Sequence, residues 1–240
     1  MAVLNRTANR KIGQAMHRYS MLADADRVLV AVSGGIDSLV LAWILKHWQR
    51  KAPIRYEMQA LFIDNGFDDA MSAKVLEETE RIGLSCRIEK TDFWHRAAAA
   101  EDGKSTCYHC ARLRRNRLFA IAAEERFNKI AFGHHKDDIL ETFFINLLYA
   151  GNISTMVPKQ KLFNGGLHII RPMAYLEKSD IVEMAQAAAI VPVKNPCPRD
   201  TDSKRQKVRK VLAGLSQLDI KVKSNIFAAL ANIRRDYLLD

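Results

Sequence analysis

The feature that most constrains the fold of this chain is a polar six-residue loop between two strongly apolar segments. Residues 28–32 read VLVAV, the loop from Ser33 to Ser38 reads SGGIDS, and residues 39–45 read LVLAWIL. A short, continuous apolar run is typical of a strand that is buried on both faces of a parallel sheet. We expect a helix to follow from about Asp37 to Arg50. The pattern therefore predicts a strand, a tight loop and a helix in direct succession.

Strands and helices alternate along most of the remaining chain. Further predicted strands are residues 58–63, 85–88 and 129–132, and further predicted helices are residues 4–22, 71–82, 111–125, 137–148 and 177–189. Gly165 and Gly166 predict a turn between two short strands. This alternation is typical of an α/β fold with a doubly wound parallel sheet. We expect residues 1–190 to form this domain, and residues 191–240 to form a helical C-terminal extension that carries the third cysteine of a set described below.

The chain is basic and has the composition of a folded protein. Its 240 residues carry a formal net charge of +10, with 48% hydrophobic and 27% charged residues, which argues against extended disorder. Neither a secretory signal nor an apolar run long enough to span a membrane is visible. We therefore expect a cytoplasmic protein with no membrane partner.

Basic residues concentrate in two stretches. The first contains Arg112, Arg114, Arg115 and Arg117, and the second contains Lys204, Arg205, Lys207, Arg209 and Lys210. Clustered cations gain affinity for nucleic acids by displacing counterions from phosphates. They are also typical of solvated helix faces, and charge alone supports the two interpretations equally.

The loop that follows the first predicted strand has the composition of a phosphate-binding site. Gly34 and Gly35 let the backbone approach an anion closely, while the amides at the helix start and the Ser33 and Ser38 hydroxyls can donate to phosphate oxygens. The alternative is a Gly-Gly turn with a polar helix cap. The spacing fits neither a Walker A loop nor a dinucleotide fingerprint. The pattern S-G-G-x-D-S resembles the pyrophosphate loop, or PP-loop, of the N-type ATP pyrophosphatases. Those enzymes cleave ATP between its α and β phosphates and transfer AMP to a substrate oxygen.

A second polar stretch, GHHKDDILET at residues 133–142, also lies between a predicted strand and a predicted helix. Helix capping would explain Asp137 and Asp138, because carboxylates favour the positive end of a helix. It explains the paired histidines, His134 and His135, poorly. The stretch resembles the G-H-H-x-D-D motif that lysidine synthetases and tRNA 2-thiocytidine synthetases share.

Three of the four cysteines point to a metal or redox site. Cys107 and Cys110 form a C-x-x-C pair, and Cys197 lies far downstream. Cys86 falls in a predicted strand, where a small buried apolar residue is expected. Three thiolates without an obvious fourth ligand suit an iron–sulfur cluster with one open iron. A zinc site completed by His109, or a redox pair, fits the residues equally well.

The combination of motifs resembles the tRNA 2-thiocytidine synthetase family. The matching segments are STCYHCARLRR at 105–115, GHHKDDILETFFINLLYAG at 133–151, IIRPMAYLEKSDI at 169–181, and Cys197 followed by Arg205. The resemblance implies a Rossmann-like fold of the adenine nucleotide alpha hydrolase type, to which the PP-loop ATP pyrophosphatases belong. It also implies ATP-dependent, iron–sulfur-dependent tRNA thiolation, in which an anticodon-loop cytidine becomes 2-thiocytidine.

The same resemblance implies the cofactors, partners and site residues. The cofactors are ATP, Mg²⁺ and a [4Fe-4S] cluster. The partners are tRNA, a sulfur donor such as a cysteine desulfurase or a small thiol or sulfide, and a second copy of the chain in a candidate homodimer. The implied catalytic residues are Asp37, His134, Asp137 and Asp138. The implied nucleotide-binding residues are Ser33, Gly34, Gly35, Asp37, Ser38, Asp64 and Gly133. The implied cluster ligands are Cys107, Cys110 and Cys197. The implied RNA contacts are Arg112, Arg114, Arg115, Arg117, Lys204 and Arg205.

Two positions qualify these assignments. Asp64 ends a predicted strand and could equally be a turn former. Ile36 stands inside the loop where many members of the family carry lysine, so one phosphate contact is absent from the loop itself.

Two other functions fit part of these residues. Another PP-loop tRNA-modifying enzyme, either lysidine-synthetase-like or thiouridine-forming, would use both polar stretches. A lysidine-synthetase-like ligase would leave the three cysteines without a role. A non-catalytic RNA-binding module with a structural zinc ion would use the cysteines and the basic residues. Iron and acid-labile sulfide in anaerobically purified protein would separate the sulfur enzyme from the zinc module.

Overall fold

The computed structural model describes residues 5–66, 69–103, 105–194, 197 and 204–237. The strands in these ranges are β1 (Arg27–Val32), β2 (Glu57–Asp64), β3 (Cys86–Lys90), β4 (Lys129–Ala131), β5 (Lys159–Leu162) and β6 (Leu167–Ile170). The helices are α1 (Arg6–Arg18), α2 (Ile36–Gln49), α3 (Asp69–Ile82), α4 (Phe93–Ala98), α5 (Thr106–Glu124), α6 (Lys136–Ala150), α7 (Lys178–Ala187), α8 (Lys204–Leu218) and α9 (Val222–Ala229). Short 3-10 turns lie at Phe163–Gly165 and Arg235–Tyr237. None of the helices described combines the length and the apolar character that crossing a membrane requires.

The strands form one sheet in the order β3-β2-β1-β4-β6-β5. β1 pairs in parallel with β2 and with β4, and β6 pairs in parallel with β4. β5 runs antiparallel to β6, because the predicted glycine turn at residues 165–166 joins the two strands as a hairpin. The predicted doubly wound α/β class is therefore confirmed, with one antiparallel edge strand.

Helices cover both faces of the sheet, which is why β1 is apolar after its first residue, Arg27. Val30 belongs to a core cluster that includes buried residues of α1, α2, α3 and α7. Leu29, its neighbour in β1, belongs to a second cluster with Ile121 of α5 and Phe93 of α4. Successive side chains of a strand point to opposite faces, so the covered part of a strand with helices on both sides needs a continuous apolar run.

Helix α5 begins earlier than the sequence predicts. The prediction started this helix at Ala111, whereas the structure starts it at Thr106. Ser105 caps the helix, since its hydroxyl accepts a hydrogen bond from the Tyr108 amide at 3.2 Å. Cys107 and Cys110 therefore lie within the helix and not in a loop before it.

The chain divides into two compact units. The first comprises Met1–His135 and Pro158–Arg199, and the second comprises Lys136–Val157 and Asp200–Asp240. The first unit contains the sheet. The second contains α6, α8 and α9, where Leu140 packs with Val208 and Leu212. The apolar face of α6 thus packs with the C-terminal helices, and the expected domain boundary at residue 190 stays a prediction.

Candidate active site

The loop from Ser33 to Ser38 lies at the topological switch point of the sheet. The chain leaves β1 towards β2 on one side, and β4 pairs with β1 on the other side. Parallel strands have their carboxyl ends at one edge, and ligands of such sheets bind where the strand order reverses. The segment after β4, which contains His134 and His135, borders the same position. The sheet topology thus brings the loop and residues 133–135 of the second motif, all in the first unit, to one edge.

Hydrogen bonds between Ser33, Gly35 and Ser38 fold the loop back on itself. The Ser33 amide donates to Ser38 Oγ at 3.0 Å, and the Ser38 hydroxyl donates to the Gly35 carbonyl oxygen at 2.9 Å. Gly34 has a φ of +80°, which favours glycine, and a Cβ at this position would lie 3.0 Å from the Val75 side chain and 3.2 Å from that of Val193. Conformation and crowding both require glycine at this position.

The N-terminus of α2 is open to an anion. Gly35 is the N-cap residue and supplies no side-chain cap, so amides of the first helical turn can donate to a ligand. Gly133 packs directly against this turn. A Cβ at Gly133 would lie 2.9 Å from the Asp37 carbonyl oxygen and 3.1 Å from the Ser38 nitrogen. The glycine of the second motif therefore permits close contact with the first.

Asp37, in the first turn of α2, is the acidic group of this loop. The ammonium group of Lys178 donates to Asp37 Oδ1. His135 Nε2 lies 3.8 Å from the same oxygen, and His135 is buried. The sequence motifs assign no role to Lys178, which begins α7 and is distant in the chain. Asp37 therefore lies between a lysine and a histidine that two separate segments supply.

Asp64 is buried at the end of β2 and stabilises the turn that follows. One carboxylate oxygen accepts from the Ser72 hydroxyl at 2.6 Å, and the other accepts from the Gly66 amide at 2.9 Å. The Gly66 contact is that of a turn former, the alternative that the sequence left open, whereas the Ser72 contact joins the end of β2 to α3. A nucleotide contact by Asp64 stays a prediction.

His134 contacts an arginine that the sequence motifs do not single out. Arg171 Nε donates to His134 Nδ1 at 3.3 Å, and Arg171 is buried. Burial, and then the charge of Arg115, lower the pKa of Arg171 to about 10. The arginine follows β6 directly, in the IIRP segment, so the second motif has a cation beside its first histidine.

The second unit pairs its own acidic residues with its own cations. Asp137 accepts from Lys223 at 2.8 Å, and Asp138 lies 3.6 Å from Arg205. The buried carboxylate of Glu141 accepts from Arg209 Nε at 2.6 Å. The predicted catalytic carboxylates Asp137 and Asp138 thus have ion-pair partners within this unit, and their catalytic roles stay predictions.

Three cysteine thiols lie in the first unit, and two of them influence the pKa of the third. Cys107 is exposed, whereas Cys110 and Cys197 are half-buried. Burial raises the pKa of the Cys110 thiol; the charge of Arg114 opposes the rise, and Cys197 and Cys107 add to it. Cys197, which is 87 positions from Cys110 in the sequence numbering, therefore comes close enough to act on it electrostatically. Cys86 is not among the groups that act on Cys110.

Arg114 belongs to the surroundings of the thiols. Cys107, Cys110 and Arg114 are spaced by three and four residues along α5, which places them on one face of the helix. Burial lowers the pKa of Arg114, and Cys110 opposes this shift. Arg114 Nε is buried and has no hydrogen-bond partner in the part of the chain that the structure describes. The thiol group therefore has a guanidinium beside it that can offset negative charge.

The donor set suits a thiolate-bound iron–sulfur cluster. Three thiols beside a cation match the requirements of a negatively charged, thiolate-bound cluster. The candidate fourth zinc ligand, His109, has its Nε2 atom 2.7 Å from Asp102. Among the residues described, no three Cys, His, Asp or Glu side chains already stand at metal-binding separations. The three thiols would therefore have to come closer together to hold a cluster.

The predicted RNA contacts differ in their surroundings. Arg112 and Arg115 are exposed on α5. Arg117 is held by Glu89 at 2.7 Å and by Glu124 at 2.9 Å. In the second unit, Lys204 Nζ lies 4.8 Å from the centre of the Tyr149 ring, and the ion pair of Arg205 is described above. Arg112 and Arg115 are thus the best-placed candidates for phosphate contacts on α5.

Val193 connects the loop to the segment that contains Cys197. The Val193 amide donates to the Gly34 carbonyl oxygen at 2.9 Å. Cys197 follows Val193 by four positions, and at about 3.3–3.6 Å per residue their Cα atoms are at most about 14 Å apart. Covalent geometry therefore keeps the third thiol near the loop.

A parallel sheet with a glycine loop and an uncapped helix at its switch point defines a nucleotide-binding α/β protein of the PP-loop class. The chain belongs to the PP-loop family: the sequence profile described as the PP-loop domain matches residues 4–215. A relative from Syntrophotalea carbinolica, named tRNA-cytidine(32) 2-sulfurtransferase, is 36% identical over 99% of this chain and 93% of that protein. A relative of the same name from Geobacter sulfurreducens is 34% identical over 95% of this chain and 90% of that protein. The predicted family is confirmed.

Solved structures with the same fold include two enzymes. The U34-tRNA thiolase from Methanococcus maripaludis, solved with its [4Fe-4S] cluster, has a TM-score of 0.78 at 22% identity and covers 95% of this chain and 77% of that chain. The NH3-dependent NAD synthetase from Campylobacter jejuni has a TM-score of 0.55 at 17% identity and covers 99% of this chain and 95% of that chain. At these identities the similarity concerns the fold alone.

Proposed function

We propose that this protein is an ATP-dependent tRNA sulfurtransferase that replaces O2 of cytidine 32 with sulfur to give 2-thiocytidine. The observation that carries the proposal is the combination, in one compact unit, of an anion-binding loop at the switch point with three interacting thiols. The names of the relatives supply the substrate and the position. A PP-loop ligase without sulfur chemistry would need the first feature only.

The loop would bind the phosphates of ATP. Backbone amides at Gly34, Gly35 and the start of α2 would donate to phosphate oxygens, together with the serine hydroxyls. Magnesium, when bound, would neutralise part of the phosphate charge, and the Asp37 carboxylate is the predicted residue to hold it. The α phosphate would then face the bound base.

The chemical obstacle is that a carbonyl oxygen is a poor leaving group. In the proposed reaction, O2 of the cytosine forms a bond to the α phosphorus of ATP, and the bond to the β phosphate breaks to release pyrophosphate. A sulfide then forms a bond to C2, and AMP leaves with the former O2. Sulfur that arrives as sulfide requires no net oxidation or reduction. Asp137, Asp138 and His134 stay the predicted residues for proton transfer or metal binding during activation of the base.

The three thiols would hold the sulfur-handling group. A [4Fe-4S] cluster, when bound, supplies an iron with an open position that can hold sulfide. Cys107, Cys110 and Cys197 are its proposed ligands. Their interaction in the structure and the adjacent Arg114 charge support this assignment.

The proposal includes tRNA, a sulfur donor and a location. Arg112 and Arg115 are proposed to contact the RNA backbone, since both are exposed on the helix that carries Cys107 and Cys110. The donor is proposed to be a cysteine desulfurase or a small thiol or sulfide, and the enzyme is proposed to act in the cytoplasm, with a homodimer as a candidate assembly.

Nucleoside analysis of cellular tRNA tests the proposal. Mass spectrometry should find 2-thiocytidine in the source organism and none after deletion of the gene. Wild-type protein should restore it, and the Cys110→Ala variant should not. Unchanged 2-thiocytidine in the deletion strain would overturn the proposal, and loss of lysidine or of a thiouridine instead would favour another PP-loop enzyme.

A further inference from the structure

Lys178 occupies a position that the local helix disfavours. It is the first residue of α7, where the positive end of the helix dipole repels a cation. The helix is otherwise capped by acidic groups, with Glu177 and Asp180 forming a reciprocal capping box. Local helix stability therefore does not explain a lysine here. Its contact with Asp37 does, because it brings a cation to the nucleotide loop.

The loop itself contains no cation. Its six residues read SGGIDS, and Ile36 packs against the apolar core. Its one charged residue, Asp37, repels polyphosphate unless a cation intervenes. Lys178 and His135 are the groups that the structure places at Asp37 Oδ1, and only Lys178 carries a permanent positive charge near neutral pH.

The ion pair between Lys178 and Asp37 can break at low cost when another cation reaches Asp37. The two side chains are 45% and 35% exposed, and pairs in such positions contribute little to stability. A nucleotide that carries a metal ion to Asp37 can therefore release the lysine at low cost.

We propose that Lys178 is the phosphate-contacting cation of the nucleotide loop. In the unliganded protein its ammonium group neutralises Asp37, and when ATP binds it transfers to the terminal phosphates. Helix α7 thus supplies the positive charge that the sequence of the loop lacks. This inference rests on the proposed use of ATP but not on sulfur transfer or on the identity of the RNA.

Nucleotide binding tests the role of Lys178. Affinities for ATP and for AMP would be measured with magnesium present, by displacement of a fluorescent ATP analogue from the purified full chain. A charge-assisted contact is worth about a 10- to 100-fold change in affinity. We expect Lys178→Met to weaken ATP binding by about this factor and to leave AMP binding unchanged, since AMP lacks the terminal phosphates. Lys178→Arg should keep most of the ATP affinity.

Two further variants separate phosphate contact from a structural effect. Lys11→Met is the control variant. Lys11, on α1, pairs at 2.7 Å with Asp180, which lies on α7 as Lys178 does. The Lys11→Met protein should bind ATP as the wild type does. The double variant Ile36→Lys/Lys178→Met returns a cation to the loop and should regain ATP affinity.

The outcomes distinguish this inference from the proposed function. If the wild type binds no ATP, the proposed function fails. If the wild type binds ATP and Lys178→Met binds ATP and AMP with unchanged affinities, Lys178 does not contact the phosphates. Equal weakening of ATP and AMP binding would also overturn the inference, because it would indicate a structural role.

Discussion

At the level of single residues, Gly133 joins the two polar motifs most tightly. Its α-carbon lies so close to the first turn of α2 that an added methyl group would meet the backbone of Asp37 at 2.9 Å. Backbone atoms cannot rotate away as a flexible side chain can. A substitution at Gly133 must therefore move the loop that is proposed to bind ATP.

We predict that Gly133→Ala weakens both folding and nucleotide binding. Overpacking costs about 1–3 kcal/mol, so the free energy of unfolding should fall by about this amount. Affinity for ATP should fall with it, because the amides at the start of α2 would shift. Denaturant titration and ATP-binding measurements would check the two effects.

Gly214→Ala provides the matched control for this substitution. Gly214 lies in α8, and a Cβ there would meet nothing within 4 Å. Alanine is favoured over glycine in a helix by about 1 kcal/mol, so this variant should gain stability and bind ATP normally. A Gly133→Ala protein with wild-type stability and affinity would contradict the close approach.

Sequence patterns predicted the residues that act locally and missed those that act across the chain. Ser33, Gly35 and Ser38 interact within their own loop, so the six-residue pattern is informative by itself. Lys178 and Arg171 act on Asp37 and His134 through tertiary contacts. The sequence offered two hints: both residues lie in the segment IIRPMAYLEKSDI at 169–181, and Lys178 is a cation at the second position of the predicted helix 177–189.

At the level of secondary-structure elements, α5 combines features of the proposed chemistry. It carries Cys107 and Cys110 in its first turns, Arg114 on the same face, and exposed Arg112 and Arg115. A rigid helix holds these groups in fixed relative positions, which a loop does not. The segment from Val193 to Cys197 then supplies the third thiol.

We predict that each cysteine of this group is required for iron. Cys107→Ala, Cys110→Ala and Cys197→Ala should each lose most of the iron and acid-labile sulfide found in anaerobically purified wild-type protein. Each substitution removes one of the three proposed protein ligands. Iron and sulfide assays on the purified proteins provide the measurement.

Cys86→Ala is the control for these variants. Cys86 begins β3, burial raises the pKa of its thiol, and it is not among the groups that act on Cys110. This variant should keep its full iron content. Full iron in Cys197→Ala would remove that residue from the ligand set, and a colourless wild type with zinc would favour the zinc-binding alternative.

The elements were easier to predict than their ends or their neighbours. Apolar runs located β1, β2 and β4 correctly, because burial on both faces leaves a continuous signal. The start of α5 was missed because STCYHC has no apolar periodicity, although Ser105 is a typical cap. Helix α4 was not predicted, since six residues are too few to show a helical period.

For the whole molecule, local sequence patterns could not predict which strands pair and which helices pack together. Alternating strands and helices predicted a doubly wound sheet, but the pairing of β1 with β4, which creates the switch point, depends on long-range contacts. The grouping of α6 with α8 and α9 likewise depends on which apolar faces meet. The net charge of +10 is consistent with an RNA partner, and only the exposure of individual arginines shows which residues are available to it.

The most direct test of the account is the stoichiometry of one turnover. Anaerobically purified protein would be mixed with ATP, magnesium, sulfide and an unmodified tRNA transcript, and AMP, pyrophosphate and 2-thiocytidine would be quantified together. We expect one AMP and one pyrophosphate for each 2-thiocytidine formed at position 32, and no sulfur incorporation into a transcript with uridine at that position. Formation of 2-thiocytidine without AMP, or of AMP with no sulfur in the tRNA, would contradict the account.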